Sequence, residues 1–214
     1  MTELLFIRHG ETDWNRQQRF QGQIDVPLNA TGHTQAQQLA ARLVDERCDA
    51  FYTSDLLRAR QTAAPLASAW AREPLAVAGL REQSFGIWEG LDFGTIQAQH
   101  AELWPRWLEQ RADFALPGGE SLRQFHTRVL AAVQQLAAAA AGLRVAIVTH
   151  GGVLDMLWRS AKGLSLDGLR TCEIPNTGLN RLRWAAVALH IELWGDDAHL
   201  AGLPAQASTA AGER

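Results

Sequence analysis

Cysteine is nearly absent from this 214-residue chain, which carries only Cys48 and Cys172, far apart and without CxxC spacing. That excludes a disulfide framework and a thiolate metal site, and the expected compartment is a reducing cytoplasm. An excess of one charge is missing too. Twenty Lys and Arg against 23 Asp and Glu leave a formal net charge of -3, so no basic field is present to hold nucleic acid or an anionic membrane. No stretch approaches the ~20 apolar residues that a membrane span takes. The longest small-residue run, Ala137 to Ala141, reads as the end of a helix. The N-terminus enters Leu4 to Ile7 with no basic flank and no cleavage site, so it reads as a strand and not as a signal peptide. His33, His100, His126, His190 and His199 are scattered without ligand spacing, and neither a metal nor another cofactor is expected.

What is present is apolar material for one sizeable core: 47% hydrophobic residues against 20% charged, which favours a single α/β domain. Short apolar runs bounded by turn residues predict strands at Leu4 to Ile7, Phe51 to Thr53, Leu75 to Ala78 and Val145 to Thr149. Leu179 to Trp184 and Val187 to Trp194 read as two late strands. Helical periodicity places Ala36, Leu39, Ala40 and Leu43 on one stripe between about Thr31 and Val44, and Leu122, Phe125, Val129, Ala132, Val133 and Leu136 on another from Ser121 onward. Alternation of this kind predicts a sheet covered on both faces. The expected domain spans residues 1–201, and residues 202–214 are expected to be a disordered tail. Residues 91–119, with Trp104, Pro105, Trp107 and Phe114, break the alternation. They read either as a substrate-covering insertion or as a helix pair packed outside.

Four segments carry chemistry. The first strand runs into Arg8-His9-Gly10-Glu11-Thr12, followed by Asn15 and Gln21-Gly22. In open α/β sheets ligands sit beyond the carboxyl ends of strands, which places Arg8 and His9 at a crevice. A neutral imidazole can attack phosphorus, an arginine fork matches phosphate oxygens, and the backbone near Gly10 could fix the ring tautomer. At a second strand end, Ser54 or Asp55 would cap the next helix and put Arg58 in its first turn, where anions are favoured. A third offers Thr149-His150-Gly151-Gly152. After the strand at Leu75 comes Glu82 in an aromatic setting, better placed than Glu89 to protonate a leaving alkoxide. Each segment alone is matched by a bland reading as surface or core.

In combination and in this order, the segments resemble the histidine phosphatase superfamily, the phosphoglycerate mutase-like group, over roughly Leu4 to Gly178. Ser54 to Arg58 with Gln61-Thr62-Ala63, Glu82 with Phe85-Gly86 and Trp88-Glu89-Gly90, and Pro117-Gly118-Gly119-Glu120-Ser121 all belong to the resemblance. It implies a three-layer α/β/α sandwich with a mostly parallel mixed sheet. It also implies that His9 becomes a phosphohistidine, that Arg8, Arg58 and a charged His150 hold the phosphoryl oxygens, and that Glu82 is the proton donor. Asn15, Gln21, Gly22 and Gly151 would line the pocket. The implied partner is a small phosphate ester, with no nucleic acid, membrane or metal required, and a homodimer is left open.

The family's bisphosphate-dependent mutases are expected to have a tyrosine three residues after the acid, a later lysine and paired arginines in the insertion. Here stand Phe85, an apolar stretch at Leu91 to Phe93, and isolated Arg106 and Arg111. The expected pocket is therefore less cationic and more aromatic, which favours a phosphomonoester phosphatase over a mutase, with a catalytically silent phosphate-binding module third. Trp104, Arg106 and Trp107 are specificity candidates that could equally be packing.

Overall fold

The computed structural model describes residues 1–185, 188–204 and 206. In chain order it contains β1 (Thr2–Arg8), α1 (Asp13–Arg16), α2 (Ala30–Leu43), β2 (Ala50–Thr53), α3 (Leu57–Trp70) and β3 (Leu75–Ala76). There follow α4 (Phe93–Gln99), α5 (Trp104–Leu108), α6 (Leu122–Ala139), β4 (Arg144–Thr149), α7 (Gly151–Lys162), β5 (Leu179–Ala185) and β6 (Ala188–Asp196).

The strands form one sheet in the order β3-β2-β4-β1-β5-β6. The first four are parallel, and β5 and β6 run antiparallel at the far edge. Alternate residues of β1 point to opposite faces, and both faces are covered. Leu4 and Phe6 join Phe125 and Val129 of α6 and Leu154 and Leu157 of α7 in one core. Leu5 and Ile7 join Leu39 and Leu43 of α2 and Ala63 and Leu66 of α3 in the other. This is the three-layer α/β/α sandwich with a mostly parallel mixed sheet. Fully burying each such Leu or Phe contributes about 1.5–3 kcal/mol, so the central strand is fixed from both sides. Among the described residues no helix is long and apolar enough to cross a membrane.

Three local expectations need correction. The strand from Leu75 pairs only through Ala76, because residues 78–80 coil into a 3-10 turn. A Cβ on Gly79 would stand 2.7 Å from Ala132 Cβ, so that turn nests directly on α6. Neither Ser54 nor Asp55 caps α3. The cap residue is Leu56, and the Leu57 N–H donates instead to Asp25, 32 residues away. Asp55 is held in two-point contact by Nε and Nη2 of Arg81. The last strand is described from Ala188; Val187 lies outside the described residues, as does most of the tail expected over 202–214.

Residues 91–116 add a third apolar cluster, apart from the sheet. Phe20, Trp88, Ile96 and Leu116 are buried in it, packed against Phe85, Phe93, Trp104, Trp107 and Phe114. Trp104 stacks on Trp107 with centroids 5.5 Å apart and planes 22° apart.

Candidate active site

The carboxyl ends of β1, β2 and β4 open into a cleft of about 330 Å³. Its floor holds Arg8, His9, Arg58 and Glu82, with Gly151 and Gly152 beside them. Asn15, Gln21 and Gly22 line one wall, and Trp107, Phe114 and Leu116 of the third cluster line the roof.

His9 is 3% exposed. Its Nδ1 stands 2.7 Å from the Gly10 carbonyl, which accepts the ring proton there and leaves the Nε2 lone pair for reaction. Burial first, then the positive charges of Arg58 and Arg8, hold the imidazole well below its usual 6.5, so it is neutral at physiological pH. Its backbone is tied on both sides. Asn176 Nδ2 donates to the His9 carbonyl at 2.8 Å, and Thr62 Oγ1 accepts the Gly10 N–H at 2.9 Å. Gly10 and Gly32 have no room for side chains: a Cβ on Gly10 would meet the Gly32 carbonyl oxygen at 2.7 Å, so α2 begins directly against the histidine loop.

Arg58 is wholly buried at the second position of α3. Its terminal nitrogens donate to Gly22 O at 2.8 Å and Ile24 O at 2.9 Å, and its Nε donates to His150 Nδ1 at 3.2 Å. Burial lowers it to about 10, against the opposing effect of Glu82, Asp25 and Glu89, and it stays charged at neutral pH. Arg8 donates to Ile174 O at 2.6 Å, which fixes its guanidinium in the floor.

His150 sits next to Arg58. It lies behind the floor, fully buried, its ring centroid 5.2 Å from that of His9. Because Nδ1 accepts from Arg58, its one proton sits on Nε2, 2.8 Å from Ser54 Oγ. Burial, then Arg58 and His9, keep its pKa well below 6.5. In this arrangement, with no phosphate bound, it supports Arg58 from behind.

Glu82 reaches the floor although no strand end delivers it. Its Oε2 accepts the Gly152 N–H at 3.0 Å and its Oε1 the Gln83 N–H at 2.9 Å. The second glycine of the His150 motif is thus required by Glu82, since a Cβ there would stand 2.1 Å from Oε1. Glu89 is spent elsewhere: its Oε1 accepts from Gln23 N, Phe85 N and Ser84 Oγ. A Cβ on Gly22, at φ +50, would run into that carboxylate. Asn15 is held by a capping box with Thr12, which occupies its carbonyl oxygen.

Several contributors escaped the sequence reading. Arg128 of α6 donates to the carbonyls of Gly79, Arg81 and Glu82 and pairs with Glu120, which accepts the Ser84 N–H at 3.0 Å; together they brace the Glu82 loop. Arg159, Arg170 and Asp155 also line the cleft. With these, its walls hold six arginines against three carboxylates, so the pocket is more cationic than expected. Of the specificity candidates Trp107 lines the cleft, while Trp104 packs behind it and Arg106 lies over the Phe114 ring at 4.8 Å. No three His, Cys, Asp or Glu side chains among the described residues come together as a metal cluster would require.

Comparison with known proteins matches this architecture. The chain is 36% identical over 202 residues to phosphoglycerate mutase-like protein 4 of Arabidopsis thaliana, covering 92% of this chain and 86% of the relative. It is 35% identical over 207 residues to a metal-independent phosphoserine phosphatase of the same plant, covering 95% and 85%. The solved structure of Bacillus stearothermophilus YhfR superposes with a TM-score of 0.88 at 31% identity, over 94% of this chain and all of that one. The family model for branch 1 of the histidine phosphatase superfamily spans residues 4–197, nearly everything from β1 to β6, and this chain belongs to that superfamily.

Proposed function

We propose that the protein is a phosphomonoester phosphatase that passes the phosphoryl group through His9. The observation that carries this reading is the His9 tautomer: Nδ1 is bound to the Gly10 carbonyl and Nε2 is free beside two fixed arginines. The Nε2 lone pair attacks phosphorus as the bond to the ester oxygen breaks, and Glu82 gives that oxygen its proton. A water then attacks the phosphohistidine, Glu82 takes the water's proton, and the electron pair of the P–N bond returns to Nε2. Arg8 and Arg58 neutralise the phosphoryl oxygens, with the Asn15 amide N–H and Gln21 beside them and the Gly22 and Gly151 backbone bordering them. Fixed positive charge is what phosphoryl transfer mainly requires. Every group comes from one chain, in a single domain over residues 1–201 with 91–119 as its cover, so a dimer is not needed to form the site. The enzyme in this reading is cytoplasmic and acts on a small phosphorylated metabolite, without nucleic acid or metal.

The relative named as mutase-like and the six cleft arginines favour a second reading, a phosphoglycerate-type mutase using the same His9. One comparison separates them: phosphate release from 4-nitrophenyl phosphate and 3-phosphoglycerate, against isomerisation with 2,3-bisphosphoglycerate added. Release that survives EDTA, with an acid-labile phosphoenzyme absent from His9→Ala, is the expected result. Activator-dependent isomerisation with negligible release would replace the phosphatase by the mutase.

A further inference from the structure

The loop over residues 163–178, between α7 and β5, contains no helix or strand, yet it grips the nucleophile from behind. Arg8 Nη1 donates to Ile174 O at 2.6 Å, Thr177 N to Arg8 O at 3.0 Å, and Asn176 Nδ2 to His9 O at 2.8 Å. Asn176 is 4% exposed and Thr177 wholly buried. The turn that carries these contacts does not hold itself. Gly178 N donates to Pro175 O at 3.0 Å, and Thr177 stands at φ +55, in the left-handed region that a β-branched residue rarely adopts. The other side of the histidine loop needs no such help, because Gly10 N is held by Thr62, on a helix whose Ala59, Ala63 and Leu66 are packed into the core.

What holds the turn comes from beyond β6. Gln206 Oε1 accepts the Asn176 N–H at 2.6 Å, and Gln206 Nε2 donates to the Asn176 carbonyl at 3.2 Å. One side-chain amide thus satisfies both backbone groups of one residue, as a paired strand would. His199, in the 3-10 turn after β6, adds a contact from Nε2 to Thr177 Oγ1 at 3.2 Å. Asn176, Thr177, His199 and Gln206 do not line the cleft, so they reach the chemistry only through Arg8 and His9. Attack on phosphorus needs the imidazole held in a near-attack geometry, and the His9 backbone sets where the ring stands. We propose that Gln206 is a positioning residue for phosphoryl transfer: by fixing the Asn176 backbone it keeps the Asn176 amide on the His9 carbonyl and the imidazole in line with the phosphoryl group.

The proposal rests on His9 as the nucleophile, and its test is the first turnover. With 4-nitrophenyl phosphate in a stopped-flow instrument, the burst of nitrophenolate reads the attack by His9. Gln206→Ala should slow that burst roughly ten- to a hundredfold, as a displacement of about an ångström does, with KM and the thermal midpoint little changed. Gln206→Met fills the same space without either hydrogen bond and should be as slow. Gln206→Glu keeps an acceptor for the Asn176 N–H, lacks the donor for its carbonyl, and should fall between. A burst that Gln206→Ala leaves at the wild-type rate, or that Gln206→Met restores, overturns the proposal. So does a loss that tracks a fallen thermal midpoint. NMR of the His9 Nδ1 proton needs no turnover: its exchange with solvent should speed up in Gln206→Ala, and an unchanged rate counts against the brace. A wild type that forms no phosphoenzyme while that exchange responds to Gln206→Ala would sink the phosphatase and leave the brace standing.

Discussion

The floor and the roof of the cleft hold their residues by different means. On the floor, His9, Arg8, Arg58 and Glu82 are each fixed by directional bonds to backbone groups or to fully buried partners, and the ends of β1, β2 and β4 set their spacing. In the roof, Trp107 is placed by ring packing on Trp104, Trp88 and Phe20, at centroid distances of 5.4–5.8 Å. Hydrogen bonds fix atoms within tenths of an ångström and stacked rings slide, so the floor is suited to bond making and the roof to admitting a range of leaving groups. Polar contacts tie the roof segment to the loop after α7 and to α6: Gly168 N donates to Gln110 O at 2.9 Å, Ala112 N to Asp167 Oδ1 at 2.7 Å, and Arg123 N to Ala112 O at 3.0 Å.

If the floor is a precisely bonded device, removing one proton from it should cost far more than loosening the roof. Glu82→Gln keeps the shape and an oxygen for the Gly152 N–H but has no proton to give at the leaving oxygen. Hydrolysis of an alkyl phosphate should fall roughly 10²- to 10⁴-fold, and that of 4-nitrophenyl phosphate much less, because nitrophenolate departs without protonation. Comparing kcat on the two esters measures this. Equal losses on both would mean that Glu82 holds structure, and the contrast between floor and roof would lose its chemical half.

The same division explains what could be read from the chain alone. β1 announces itself because Leu4 to Ile7 is a continuous apolar run, and a residue following it directly, such as His9, inherits a place at the strand end. Arg58 is legible because four residues link it to Ser54 at the end of β2. Contacts without a local signature were not legible: Asp25 to the α3 terminus, Asn176 to the His9 carbonyl 167 residues away, Arg128 across to the Glu82 loop, and Arg170 beside Arg8. A lone Arg or Asn in a loop has no periodicity, and only folding shows what it meets. His150 was placed at the right strand end, but its burial behind Arg58, which lowers its pKa, is not encoded in its motif.

A smaller effect should come from the roof. Trp104 does not line the cleft, so Trp104→Ala removes support from Trp107 without touching the floor. Truncating a fully buried Trp costs about 3–5 kcal/mol, and this half-buried one less. If the third cluster opens as its own unit, amide exchange should speed up across residues 91–116 while the amides of β1 and β4 keep their protection. KM should rise severalfold with little change in kcat. Faster exchange throughout the sheet would show instead that floor and roof unfold together.

The smallest effect, and the finest test of the floor, is in protonation. His9 titrates below 6.5 because it is buried and because Arg58 and Arg8 are near; replacing Arg8 by Met removes one of those cations and should move the His9 titration upward, toward the ordinary value. Trp104→Ala should leave it in place. Stability carries the same sign. An unfolded chain takes up protons at His9 and His150 near the ordinary value of about 6.5. The folded one resists until lower pH, so stability is full above that value and is lost as pH falls from it toward the folded titration points. Ring NMR of His9 follows the first effect and denaturant midpoints against pH the second. A His9 titration that Arg8→Met does not move would mean that desolvation alone sets its charge, and the arginines would then act on the phosphoryl group without tuning the nucleophile.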